Sequence, residues 1–225
     1  MPHRTVTGLA ALVAALTITG SWALHRHFSR PDPFDHASLP IPVRQSVSSD
    51  LSGLNQDGLP ATFSAATTGR VAVCAYLWTG CPDGCANVFG TMRQMREFFS
   101  DQPDLQFVSV AVLPDIDPPA QLAQFARASG LSPSDPWLFL SGFPSTSAWD
   151  FMHHQLGLSL TIAPPPNPGD PPCCRRCDHD LRIVLLDRQQ RVRGHYEVNA
   201  AVPEKREFFR AKLFGDTARL LAGSD

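Results

Sequence analysis

Two cysteines four residues apart, in Thr79-Gly80-Cys81-Pro82-Asp83-Gly84-Cys85, have the clearest capacity for chemistry in this sequence. They follow an apolar run at residues 71–78 and precede a stripe at helical spacing, Val88, Met92, Met95 and Phe99. The pair therefore sits where a strand ends and a helix begins. Unpaired backbone N–H groups and the positive end of the helix dipole favour a thiolate there, which can lower a cysteine pKa from ~8.5 into the ~3.5–7.5 range. A thiolate is the nucleophile of disulfide exchange and also the soft ligand that selects copper(I). From a first helical turn, Cys81 and Cys85 can face the same way and either chelate one ion or form a disulfide. The CxxxC spacing does not choose between these fates. A third donor would choose, and the candidate is His179 in Asp178-His179-Asp180, just ahead of an apolar run at 181–186. Two thiolates and an imidazole suit copper as Cu(I) or Cu(II), or zinc.

The elements that must position these residues read as an α/β pattern. Near-continuous apolar runs at 71–78, 107–113 and 137–140 are what strands buried on both faces look like. Between them lie the stripe through Val88 and a second one through Leu122, Phe125 and Ala126, which follows Pro118-Pro119 as a helix first turn does. Asn55-Gln56-Asp57-Gly58 is hairpin turn chemistry, so an N-terminal hairpin precedes the first buried strand. Late in the chain, residues 181–186 lead into Val192, Gly194, Tyr196 and Val198, which alternate with Arg193, His195 and Glu197. That spacing predicts a hairpin with one wet face. A last helix is expected over about 203–221, with Phe209, Leu213 and Leu220 on one stripe and Phe208 and Leu221 widening it. Together these parts predict a thioredoxin-like sheet with an N-terminal hairpin, flanking helices and a C-terminal helix. In such a sheet the entry to the strand after His179 lies beside the junction that carries the two cysteines.

The bulk properties frame the chemistry. A chain of 225 residues, 43% hydrophobic and 18% charged, suits one globular domain with terminal extras. Its formal net charge of -2, without a long run of either sign, shows no electrostatic footprint for nucleic acid. Residues 8–24 form an uncharged stretch that ends before His25, Arg26 and His27. As a helix this stretch would reach about 25 Å, just short of the ~30 Å hydrocarbon core of a bilayer. Residues 1–30 are accordingly read as a single N-terminal membrane anchor with the domain on the extracytoplasmic side. Export followed by cleavage near Ser21-Trp22-Ala23 is the alternative. Residues 31–47, with Pro31, Pro33, Pro40 and Pro42, read as a linker, and the domain is expected to run from 48 to 225.

Outside the cytosol disulfides are permitted, yet five of the six cysteines fall into two tight clusters rather than a staple framework. The second cluster, Cys173, Cys174 and Cys177, closes a proline-rich insertion at about 163–177, immediately before His179. It could supply a local disulfide, extra metal ligands or a resolving thiol. Cys74, amid the first apolar run, reads as an inert core residue. His153 and His154 read as surface positions, and Met92 and Met95 as core.

These motifs resemble the Sco (SenC) family of copper-binding, thioredoxin-like proteins, which help metallate the binuclear copper centre of cytochrome c oxidase. The resemblance runs over roughly 51–221 and rests on the Asp57-Gly58 hairpin, Cys81-Pro82-Asp83-x-Cys85, Trp137-Leu138-Phe139-Leu140-Ser141-Gly142 and Asp178-His179. It implies copper ligation by Cys81, Cys85 and His179, with Asp83 shaping the surroundings of the cysteines. It also implies, as partner, the copper subunit of cytochrome c oxidase or another periplasmic copper or thiol protein. Two departures stand out: Ala86 replaces the family's usual proline, and its acidic strand end appears here as Val112-Leu113-Pro114-Asp115-Ile116-Asp117. No role is therefore carried over to Asp115 or Asp117. Beside the copper chaperone stands a thiol-disulfide oxidoreductase using Cys81 and Cys85 as its redox pair. A metal-free binding module with a stapled loop is a third reading.

Overall fold

A computed structural model describes residues 40–81, 84–162 and 177–223. The expected membrane segment, most of the linker, Asp83 and the insertion through residue 176 lie outside the described residues. Among the described residues, no helix is long and apolar enough to cross a membrane.

The chain runs β1 (Gln45–Ser46), β2 (Ser52–Leu54), β3 (Pro60–Thr62), α1 (Phe63–Thr67), β4 (Val71–Leu77), α2 (Cys85–Phe98), β5 (Leu105–Ala111), α3 (Pro119–Ala128), β6 (Trp137–Leu140) and α4 (Ser145–Leu156). Then follow β7 (Leu160–Ile162), β8 (Cys177–His179), β9 (Ile183–Leu186), β10 (Arg191–Tyr196) and α5 (Pro203–Leu221). Six strands form the main sheet in the order β1-β10-β9-β4-β5-β6. β4, β5 and β6 are parallel, whereas β9 is antiparallel to both β4 and β10.

The apolar runs become the central strands because both faces of the sheet are covered. Val71, Val73, Ala75 and Leu77 point into one core with Val88, Met92 and Met95 of α2, Leu122 of α3 and Leu213 of α5. Ala72, Cys74 and Tyr76 point into the other, with Phe63 of α1 and Ala148, Phe151 and Met152 of α4. Alternation along a strand thus serves two cores, which is why no polar face shows in the sequence of β4. Cys74 is fully buried, as its core reading anticipates, and His153 and His154 are exposed.

The Asn55–Gly58 turn joins β2 to β3, with Gly58 at φ 74°. Gln56 then does for β6 what a neighbouring strand would do. Its Nε2 donates to the Trp137 carbonyl (3.1 Å) and its Oε1 accepts from the Phe139 N–H (3.1 Å). This side chain occupies part of an edge that would otherwise offer unpaired backbone groups.

Three expectations are corrected. The folded part begins before residue 48: Ile41 is buried, and β1, inside the expected linker, pairs with β10. Proline-rich extended chain suits this outer edge strand. The β9–β10 hairpin has no simple wet face, because a bulge between Val192 and Gly194 breaks the alternation and turns Arg193 inward. The third concerns Phe208, which does not widen the apolar stripe of α5, being 57% exposed.

Arg193, 3% exposed, donates from Nη1 to Asp187 Oδ2 (2.9 Å) and from Nε to the Ile41 carbonyl (3.2 Å). Arg191 Nε also donates to Asp187 (2.7 Å). Burial pushes the Asp187 carboxyl up, but hydrogen bonds from the Arg191 backbone and the two guanidinium groups outweigh it and hold it below the usual carboxylate value. A carboxyl depressed in the folded state stabilises the fold above its unfolded pKa of ~3.9, and that stabilisation is lost as pH falls through the folded value. Asp187→Ala should destabilise the domain by about 3–5 kcal/mol at pH 7, because it removes a buried carboxylate to which two guanidinium groups donate. Denaturant titrations of wild type and variant should show this gap narrowing below about pH 4.

Candidate metal centre

Each of the three donor residues reaches the site from a different piece of local structure. β4 ends at Leu77 and the chain turns through Trp78 and Thr79 to Cys81, whose N–H donates to the Trp78 carbonyl (3.1 Å). Cys85 opens α2 after Gly84, which holds φ at 135°. A β-carbon at Gly84 would lie 2.4 Å from Asn199 Nδ2 and 2.8 Å from Leu181 Cδ1. Glycine is therefore required both by the backbone angle and by the loop packed over it. Asn199 also accepts from Asn87 Nδ2 (2.7 Å), which ties the start of α2 to the loop after β10.

His179 ends β8. In the two-stranded ribbon β7–β8, Leu160 pairs with His179, Thr161 with Asp178 and Ile162 with Cys177. The insertion thus leaves and re-enters the fold through a ladder whose inner end carries the histidine. Sequence patterning missed this ribbon because three-residue strands carry no readable period.

Cys81 Sγ, Cys85 Sγ and a ring nitrogen of His179 all lie within 4.8 Å of one another. Cys85 Sγ is 3.1 Å from His179 Nε2, and His179 Nδ1 is 3.1 Å from the Asp180 carbonyl. A carbonyl only accepts, so Nδ1 carries the proton and Nε2 presents its lone pair to the sulfurs. Tyr76 meets the imidazole edge-on at 5.9 Å between ring centres. His179 is 6% exposed, and burial lowers its pKa, so the ring is neutral at pH 7. That is the protonation state a metal needs.

The cysteines differ from each other. Cys81 is half-buried, whereas Cys85 is 5% exposed. Burial raises the Cys85 thiol far above its ordinary value, with Cys81 and Asp117 adding to the rise and a Trp78 backbone hydrogen bond opposing it. The expectation of a helix-stabilised thiolate is thereby corrected for Cys85. At this depth desolvation outweighs the helix terminus. A cation coordinated by both sulfurs would reverse the balance by displacing the protons.

Two soft thiol donors and one neutral imidazole converging on one point fit a copper or zinc ion. Of the other sequence-predicted residues, Asp83, Cys173 and Cys174 lie outside the described residues, and Cys177 is placed only as backbone of β8. Sequence reasoning named Asp117 but carried no role over to it. Fully buried, it accepts from the Thr79 N–H (3.0 Å) and the Thr79 hydroxyl, and its own carbonyl accepts from Ser141 Oγ (2.7 Å). Burial raises its carboxyl, and the two Thr79 bonds work against the rise. Beside the centre, Ser159, Thr161, Asp178, Asp180, Arg182 and Glu197 help line an open cleft of about 360 Å³ with His179 on its wall.

The family model described as SCO1/SenC matches residues 42–208. Among solved structures, the chain is similar to a SCO1/SenC family lipoprotein from Bacillus anthracis, at 22% identity and TM-score 0.63, over 79% of this chain and 96% of that one. BsSco, described as having a disulfide switch and as a member of the Sco family of cytochrome c oxidase assembly proteins, gives 19% identity and TM-score 0.61 over 80% and 96%. Yeast Sco1 with copper bound gives 17% identity and TM-score 0.56 over 75% and 87%. These likenesses show the thioredoxin-like fold. Comparison with curated sequences yields no match.

Two outcomes follow from this geometry. In the reduced, metal-free domain, limiting iodoacetamide at pH 8 should label Cys81 well ahead of Cys85, as peptide mapping would show. Gly84→Ala should cost about 1–3 kcal/mol of stability in thermal unfolding, through backbone strain added to the clash with Asn199.

Proposed function

The chain belongs to the SCO1/SenC family, and we propose that it is a metallochaperone that holds one copper ion on Cys81, Cys85 and His179 and assists metallation of the binuclear copper centre of cytochrome c oxidase. The observation that carries this reading is the convergence of three donors within 4.8 Å, with the free lone pair of a neutral imidazole aimed at two sulfurs. The copper bound to yeast Sco1 and the oxidase-assembly description of BsSco support it.

Copper supplies the positive charge that lets both thiols ionise in a largely dry site. His179 contributes a donor whose orientation is fixed by the Asp180 carbonyl. Cys81, the more exposed thiol, is where an incoming partner ligand would first displace the protein. The recipient is the copper subunit of the oxidase or another extracytoplasmic copper or thiol protein. Residues 1–30 tether the domain to the outer side of the cell membrane, and export with signal cleavage is the alternative. Asp83 shapes the cysteine surroundings, and Cys173, Cys174 and Cys177 supply a local disulfide, extra metal ligands or a resolving thiol.

The unequal exposure of Cys81 and Cys85 favours a second reading, thiol-disulfide oxidoreduction. In it the Cys81 thiolate attacks a partner disulfide and releases one partner thiolate. Cys85 then displaces the second partner sulfur, leaving a Cys81–Cys85 disulfide and a reduced partner.

His179 separates the two. The reduced full-length protein should retain one copper per chain against a moderate chelator. His179→Ala should weaken binding by more than the roughly 10–100-fold that outer-shell losses cost at metal sites. Equal retention by wild type and His179→Ala, or full reductase activity in the variant together with unimpaired oxidase assembly in cells, would overturn the copper reading.

A further inference from the structure

Of the three donors, Cys85 is built into α2 and His179 into β8, whereas Cys81 stands on the irregular segment between β4 and α2. We infer that Asp117 is a positioning residue for the centre: its buried carboxylate fixes Thr79 and so the backbone that carries Cys81 towards Cys85 and His179.

The segment is held at three successive residues. Thr79 gives both its N–H and its hydroxyl to the Asp117 carboxylate. Gly80 lies against the Trp78 indole, close enough that a β-carbon there would come to 3.3 Å from Nε1. Cys81 closes the turn through its N–H to the Trp78 carbonyl (3.1 Å). Asp117 is in turn anchored to the ends of two strands. Its N–H donates to the Leu113 carbonyl (2.9 Å), and its carbonyl accepts from Ser141, which exchanges backbone hydrogen bonds with Leu54 of β2 at 2.7 and 3.0 Å. Rigidity is thus relayed from the sheet to a loop with no regular structure of its own.

An aspartate is a costly choice for this task if stability were its purpose. Both of the donors described are neutral groups of one threonine, and a buried carboxylate held only by neutral donors bears a large desolvation cost. Its two oxygens, however, grip a backbone and a side-chain donor of one residue at once, which fixes that residue in direction as well as position. That is the requirement for a donor that must meet two others at one point.

Copper as the ligand rests on the reading above, so the test has a metal-free arm. Three variants are compared with wild type: Asp117→Ala, Asp117→Asn and Thr79→Val. An asparagine can keep both contacts, its carbonyl accepting the Thr79 N–H and its amide donating to the Thr79 hydroxyl. In the full-length protein, Asp117→Ala should lower copper affinity by about 10–100-fold and weaken the thiolate-to-Cu(II) charge-transfer absorption. Thr79→Val should fall in between, and Asp117→Asn should stay near wild type. Without metal, the Cys81–Cys85 disulfide equilibrium against glutathione should shift in the same order. Circular dichroism reports whether each variant is folded. If wild type holds no copper but the disulfide equilibrium shifts in this order, the positioning role stands and the copper reading falls. Folded Asp117→Ala or Thr79→Val with wild-type affinity and equilibrium overturns the positioning role. So does Asp117→Asn impaired as severely as Asp117→Ala, which would make charge the cause.

Discussion

The antiparallel pairing of β9 with β4 is the constraint on which the centre depends. Ala72 faces Leu186, Val73 faces Leu185 and Cys74 faces Val184, and this register fixes where the chain ahead of β9 meets the chain beyond β4. The cysteines lie past one end of β4, and His179 precedes β9 at that same end. A slip of one residue would shift the histidine by about 3.3 Å and invert every side chain of β9 between the two cores. Four fully buried residues, Ile183 to Leu186, divided between the two cores, make that slip costly. The 3.1 Å approach of Cys85 to His179 is therefore bought by hydrophobic packing well away from the sulfurs.

Inside the centre, burial and metal chemistry oppose each other. The same desolvation that keeps His179 neutral, and so ready to donate a lone pair, keeps the Cys85 thiol protonated. A site like this is poor at holding isolated negative charge and well suited to a cation that arrives as protons leave. The helix N-terminus at Gly84 and Cys85 contributes in the expected direction but is outweighed at this depth. Loop order then becomes as important as donor identity, because Cys81 has no helix or strand to aim it.

Much of this arrangement was legible in the sequence, for reasons that particular residues make plain. β4, β6, α2 and α5 were readable because long apolar runs or a repeated 3.6-residue stripe leave a periodic trace, as at Val88, Met92 and Met95. Cys81, Cys85 and His179 were readable as a group because a strand-to-helix junction and a strand entry meet at one end of such a sheet, although the CxxxC spacing alone left chelation and disulfide exchange open. Arg193 misled because one bulge reverses the alternation on which its exposed reading rested. β1 was read as linker because two paired residues amid prolines resemble unpaired chain. Asp117 was opaque for another reason: a lone aspartate in a loop has no period, and its meaning lies in Thr79, 38 positions away.

The separation of the donors also has a consequence in time. Cys85 and His179 stand 94 positions apart in the chain. At synthesis rates of ~5–20 residues per second, the two thiols exist for roughly 5–20 s before the histidine is made. Through that interval the nascent polypeptide holds the two thiols without the imidazole that completes the set. The finished centre is thus a product of the last third of the chain closing on the middle, and its three donors come together only when the strands around β4 and β9 have paired.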